Sequence, residues 1–286
     1  MNIIREEKGM MRLIKKYPFI SAVVFVELLT FVTYFYPGIP FANVGVRVVL
    51  CAALMIVLHK CSLESALQFQ LSSFARGLLI GLPFFLFAIW IAFNNMRYAG
   101  AEGQIDHIIA LWDFCARMLM IGIFEELSYR GLLLNVYLQH REKTRSTIYM
   151  AVFWSSLIFG ITHYLNLLNE PFSGTAFLDT SVSVFSAFCT GVFLAAVYLK
   201  SMNIWVSVFL HAVWDFANLF PDPSFFTPHE SAAVADVAEQ LSTGEILGNA
   251  ALSMIEPTLI LLIGVFILRN INKTNYIKSI SNVFKK

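Results

Sequence analysis

The chain has 286 residues, of which 58% are hydrophobic, 15% aromatic and only 14% charged, with a formal net charge of +1 and a mean hydropathy of +0.69. A soluble domain carries roughly 25% charged residues, so this composition excludes an ordinary water-soluble fold and points to an all-α, polytopic membrane protein. The net charge carries no information about nucleic acid, because the placement of the charges decides that, and no nucleic-acid partner is expected. Cys51, Cys61, Cys115 and Cys189 lie in or beside apolar runs without a C-x-x-C pair. They read as small packing residues, not as a zinc knuckle or a disulfide framework.

The N-terminus carries Arg5, Lys8, Arg12, Lys15 and Lys16 ahead of an apolar run over 19–36. The run is long and no small-x-small cleavage site follows, so it reads as a retained first transmembrane helix. Seven further spans are expected over 41–58, 74–93, 108–138, 147–165, 181–199, 203–220 and 248–268. Apart from the long 108–138 run, each is near the length of about 20 residues that a bilayer core requires. Helices are the expected form, because an open sheet cannot satisfy its backbone in lipid. One integral-membrane domain, 1–286, is expected, with no internal repeat and a motif-bearing core over 108–220.

Lysines and arginines set the orientation. The five N-terminal cations, Lys60, Arg76, Arg141, Lys143, Arg145, Lys200, Arg269, Lys273, Lys278, Lys285 and Lys286 fall on one side of an eight-span layout. The alternate loops hold Arg97 and many acids, among them Glu102, Asp106, Glu170, Asp179 and Asp222. Both termini are therefore expected in the cytoplasm and the long 221–247 loop outside, with a short surface helix over 231–241. The expected setting is a multi-pass protein of a bacterial plasma membrane.

The fourth span contains Phe124-Glu125-Glu126-Leu127-Ser128-Tyr129-Arg130-Gly131. An acid or arginine at a helix centre costs about 2.5 to 3.5 kcal/mol on insertion scales. Glu126 and Arg130 are i and i+4 and can pair. Glu125 points to a neighbouring side with no partner inside the motif, which marks it as the chemical residue. The fifth span closes on Phe159-Gly160-Ile161-Thr162-His163, and the seventh holds His211-Ala212-Val213-Trp214-Asp215, with His211 and Asp215 on one helix face. Converging in a bundle interior, Glu125, His163, His211 and Asp215 would offer two imidazoles and two carboxylates. That set suits hydrolysis by activated water. The same four residues could instead hold a divalent metal such as Zn²⁺, and the residues alone leave both open. The chain has no nucleophile elbow, no H-E-x-x-H and no P-loop.

The order E-E-x-x-x-R, F-x-x-x-H, H-x-x-x-Asp on successive helices resembles the CPBP (CAAX protease and bacteriocin-processing, Abi) family, which contains the type II CAAX prenyl endopeptidase. The resemblance covers roughly 108–220. It implies an intramembrane endopeptidase acting on a membrane-associated or lipidated protein or peptide. By that resemblance Glu125 is the water activator, Glu126 and Arg130 its support, His163 the first histidine and His211 the second. Asp215 stands where the prenyl endopeptidase usually has asparagine. An asparagine can donate to an oxyanion whereas an ionised aspartate only accepts, so Asp215 reads as orienting His211 or binding metal. Two other functions are weighed: a non-catalytic immunity or peptide-maturation scaffold, which has no need of all four residues, and a proton-coupled transporter, against which the lack of repeat symmetry argues.

The remaining charges have structural readings. Arg47 is expected to pair with Glu27 or Glu256, and Asp113 with Arg117 as a solvated pair near the outer interface. At about 1.5 Å per residue, Glu125 and His163 lie roughly 20–25 Å from the cytoplasmic ends of their spans, but His211 only roughly 12 Å. Depth counting therefore does not bring His211 level with the other two.

Overall fold

The computed structural model describes residues 16–35, 39, 41–102, 108–142, 144–169, 171–220 and 243–271. Among these residues the fold is all helical. The helices are α1 (Pro18–Val32), α2 (Ala42–Lys60), α3 (Leu71–Ile80), α4 (Leu82–Glu102), α5 (Ile108–Glu126), α6 (Asn135–Gln139), α7 (Arg145–Thr162), α8 (Gly174–Ser201), α9 (Ile204–Leu219), α10 (Thr243–Ser253) and α11 (Ile255–Arg269). Most of the N-terminal cations, the lysines after Arg269 and the 231–241 segment lie outside the described residues.

The described residues of the eight expected segments are mostly helical. Among the described residues, four helical segments are long and apolar enough to cross a bilayer alone: Ala42–Lys60, Arg145–Leu168, Gly174–Ser201 and Gly244–Arg269. A fifth is counted if α3 and α4, bent by 69° at a short break, form one span. That bend has a local cause: Gly81 ends α3, and Pro83 in the first turn of α4 cannot donate a backbone hydrogen bond. The other segments are shorter or carry charge. The 15-residue α1 is about 22 Å long, less than a hydrocarbon core of about 30 Å.

α8 is the central helix. Its stretch from Cys189 to Leu199 is buried without interruption, packed by α7, α11, α9 and α3. Ser173 caps its N-terminus by accepting from the Ala176 amide at 3.0 Å. Thr144 caps α7 in the same way through Thr147 at 3.1 Å. α5 packs between α9 and α2. Small residues set these approaches: a Cβ on Gly122 would stand 3.0 Å from the Val208 carbonyl and 3.2 Å from the Ala212 amide. Only glycine lets α5 and α9 come that close.

Two expectations change here. The 108–138 span is not one α-helix, because Leu127–Leu134 is wound as a π-helix between α5 and α6. A wide turn leaves carbonyls misdirected, and Asn135 collects two of them, donating to the oxygens of Arg130 at 2.9 Å and Gly131 at 3.0 Å. The π-helix is commonest as single turns at functional sites, and this one carries the arginine of the acidic motif.

The second change concerns depth. The turn from α8 to α9 is inside the protein: Ser201, Asn203 and Ile204 are all buried. Asn203 donates to the Gln70 carbonyl at 3.1 Å and Trp205 to that of Leu67 at 2.8 Å, so the segment before α3 covers this turn. Counting His211 from the bundle surface therefore starts from the wrong level.

Candidate active site

Glu126 is at the centre of the polar interior and has no exposed surface. One of its oxygens, Oε1, is 2.7 Å from Arg130 Nη1 and 2.8 Å from His211 Nδ1. Arg130 is equally buried; its Nη2 donates to the Gly191 carbonyl of α8 at 3.1 Å, and its guanidinium lies over the Phe159 ring at 4.9 Å. The motif thus ties α5, α7, α8 and α9 through one ion pair. The guanidinium serves both acceptors at once, Nη1 toward Glu126 and Nη2 toward Gly191, which the compact charge of an ammonium would not span.

His211 is fixed from both ends. Because a carboxylate only accepts, Nδ1 carries the hydrogen toward Glu126. Its Nε2 then faces Glu125 Oε2 at 3.4 Å and Asp215 Oδ2 at 3.6 Å. Three carboxylates surround one imidazole.

Glu125, His163, His211 and Asp215 all line one cavity of about 870 Å³. Glu125 and Asp215 each keep 18% of their side-chain surface exposed, whereas Glu126 keeps none. The two adjacent glutamates are divided between the cavity and the protein interior. His163 Nδ1 is 2.9 Å from the Phe159 carbonyl, which can only accept, so its Nε2 carries the free lone pair. Phe159 stands between the two histidines, edge-on to His163 at 5.0 Å and to His211 at 5.7 Å. The sequence marks Phe159 only as a motif position; its place as the spacer comes from the packing.

Among the described residues, no group of three His, Cys, Asp or Glu side chains is arranged to hold a metal ion. His163, His211, Glu125 and Asp215 share a cavity, but His211 commits Nδ1 to Glu126 and His163 commits Nδ1 to a backbone carbonyl. That leaves Nε2 of each ring available on the cavity side, as in histidines that bind a metal through one nitrogen while donating from the other.

Several residues given structural readings reach the cavity wall. Arg47 from α2 and Glu256 from α11 both line it, as does Trp214. Arg47 is buried, donates to Asn43 Oδ1, and is close enough to Asp215 to interact electrostatically. Its depth on α2 was the available signal; the direction of its side chain was not. Glu27 is held by hydroxyls, with Thr162 Oγ1 at 2.9 Å and Tyr129 OH at 3.4 Å. The Asp113–Arg117 pair, at 2.8 Å, is largely buried and not solvated as expected. Asp113 also accepts from the Phe41 amide at 2.8 Å and so secures the start of α2. Arg117 is on the cavity wall.

Compared with known proteins, residues 107–217 match the family described as Type II CAAX prenyl endopeptidase Rce1-like. No curated protein and no solved structure matches the chain.

Proposed function

We propose that this chain, whose residues 107–217 match the Type II CAAX prenyl endopeptidase Rce1-like family, is an intramembrane endopeptidase that hydrolyses a peptide bond with water activated by Glu125. The observation that carries the reading is the division of the acidic pair. Glu126 is buried on Arg130 and His211, while Glu125 is on the cavity wall with His163, His211 and Asp215.

A water between Glu125 and His163 Nε2 gives its proton to the Glu125 carboxylate as its oxygen bonds to the scissile carbonyl carbon. The resulting oxyanion is met by the proton that His211 Nε2 shares with Asp215, and Arg47, also lining the cavity, supplies positive charge. The C–N bond then breaks, and Glu125 returns its proton to the departing amine. Asp215 accepts from His211 and keeps the ring turned toward the reacting atoms. The substrate is a membrane-associated or lipidated protein or peptide, and the setting is a bacterial plasma membrane with both termini cytoplasmic. The division of lysine and arginine between alternate loops supports that orientation.

The test compares membrane proteomes of cells carrying the wild type and Glu125→Ala at equal expression. Precursors that persist uncleaved only with the variant identify both activity and substrate. A folded Glu125→Ala protein whose cells show the wild-type set of cleaved termini would leave the non-catalytic immunity or scaffold role.

A further inference from the structure

A second cavity lies away from the catalytic one. It is a cleft of about 680 Å³ between α7, α8 and α11, walled by apolar side chains such as Val152, Phe188, Val192 and Val265. Arg145 and Arg269 line one end of it. On α7 the cleft runs from Arg145 to Phe153, and on α11 from Arg269 back to Leu261. Both stretches are nine residues, or eight steps and about 12 Å of helix. That is close to the depth of one hydrocarbon leaflet, about 15 Å. The catalytic cavity uses the other end of the same helices, at Phe159 and Thr162 on α7, with His163 just past its end, and at Glu256 and Pro257 on α11.

Both arginines are exposed, but Arg145 is held in place. The Arg145 guanidinium donates through Nε to Tyr149 OH at 3.1 Å and through Nη2 to the Arg269 carbonyl, which uses two of its five N–H groups and fixes its plane. Beside it Lys200 donates to the Asn270 carbonyl, so three cations gather where α7, α8 and α11 end. An apolar slot one leaflet deep, with the preorganised Arg145 guanidinium and the exposed Arg269 at its mouth, complements one acyl chain below an anionic phosphate.

We infer that this cleft is a binding site for an anionic phospholipid, with the phosphate at Arg145 and Arg269 and an acyl chain between α7, α8 and α11. The lipid would brace these three helices at the end opposite the catalytic cavity, and the assignment does not depend on the protease reading. Each arginine near a membrane surface favours an anionic lipid by roughly fivefold, so the pair gives roughly 30-fold selectivity over a zwitterionic lipid.

The test is native mass spectrometry of the full chain, delipidated in detergent and titrated with phosphatidylglycerol or phosphatidylcholine of identical acyl chains. Phosphatidylglycerol should be retained with roughly 30-fold preference. The paired substitution Arg145→Gln with Arg269→Gln should bring its binding down to the phosphatidylcholine level. Val265→Trp starts from a half-exposed position on the cleft wall, so it fills the slot without disturbing the core and should remove the tightly held lipid of either kind. Arg141→Gln removes a cation of the same basic end that lies over Tyr137 and not in the cleft, and it should change nothing. Equal retention of the two lipids by the wild type would overturn the proposal. So would a loss with Arg141→Gln as large as with the pair, or full retention by Val265→Trp.

Discussion

The most informative perturbation separates Glu126 from its neighbour. In Glu126→Gln the amide oxygen can still accept from Arg130 and His211, but the negative charge is gone. The amide nitrogen also replaces Oε2, a buried atom with no hydrogen-bond partner. At 2.7 Å and an effective dielectric of 20, the Glu126–Arg130 attraction is about 6 kcal/mol. Desolvation of the two ions offsets much of that, so loss of one member of a buried pair costs about 3–5 kcal/mol. Arg130→Met should cost a similar amount, because Glu126 would keep its charge with only His211 to balance it. The double variant, Glu126→Gln with Arg130→Met, removes both charges and should cost less than the sum of the two by at least about 1 kcal/mol. The assay is equilibrium unfolding in mixed micelles for the wild type, both singles and the double. Glu125→Gln belongs in the same series. It removes one of the carboxylates crowding His211 Nε2 from a partly exposed position, and should unfold no earlier than the wild type while losing about 10²–10⁴-fold in cleavage rate. If the single costs add to within about 0.5 kcal/mol, the two groups are not coupled. The reading of Glu126 as a structural hub would then be wrong.

Other outcomes follow from the same geometry. Asp215→Asn should keep or raise activity if water activation by Glu125 needs no metal, since the amide can donate to the oxyanion; chelators should then have little effect. Activity that chelation abolishes and added zinc restores, with Asp215→Asn losing about 10–100-fold, would instead establish a metal centre. Gly122→Ala should separate α5 from α9, because its Cβ would meet the Val208 carbonyl at 3.0 Å. Activity should fall more than stability, and a variant as active as the wild type would mean that this contact does not set the Glu125–His211 distance. Cysteine accessibility should place sites near 141–145 in the cytoplasm and sites in 221–247 outside. Finding the 221–247 loop on the same side as the C-terminus would break the eight-span layout.

The sequence by itself determined the helical membrane class and the residues worth watching, for one physical reason. Apolar segments that must satisfy their own backbone in lipid become helices, and a charge inside such a segment costs enough to stand out. Hydropathy is a local property, so it survives in a bare string of residues. The pairing of Glu126 with Arg130 is also local, four positions along one chain.

What joins distant segments was decided by the tertiary structure. Glu126 and His211 are 85 positions apart, and their 2.8 Å contact depends on how closely α5 approaches α9 at Gly122. Depth counting missed it because the turn before α9 is buried beneath the segment around Gln70. The same holds for Arg47 and Glu256, whose arrival at the cavity depends on how α2 and α11 are rotated. It holds too for Asp113 and Arg117, which packing took out of solvent. The π-helical stretch belongs here as well, because its stray carbonyls are held by Asn135, itself bonded to Tyr198 of α8 at 2.9 Å. Cost marks which residues are out of place in lipid, but their partners follow from helix crossing and rotation, which many weak contacts set together.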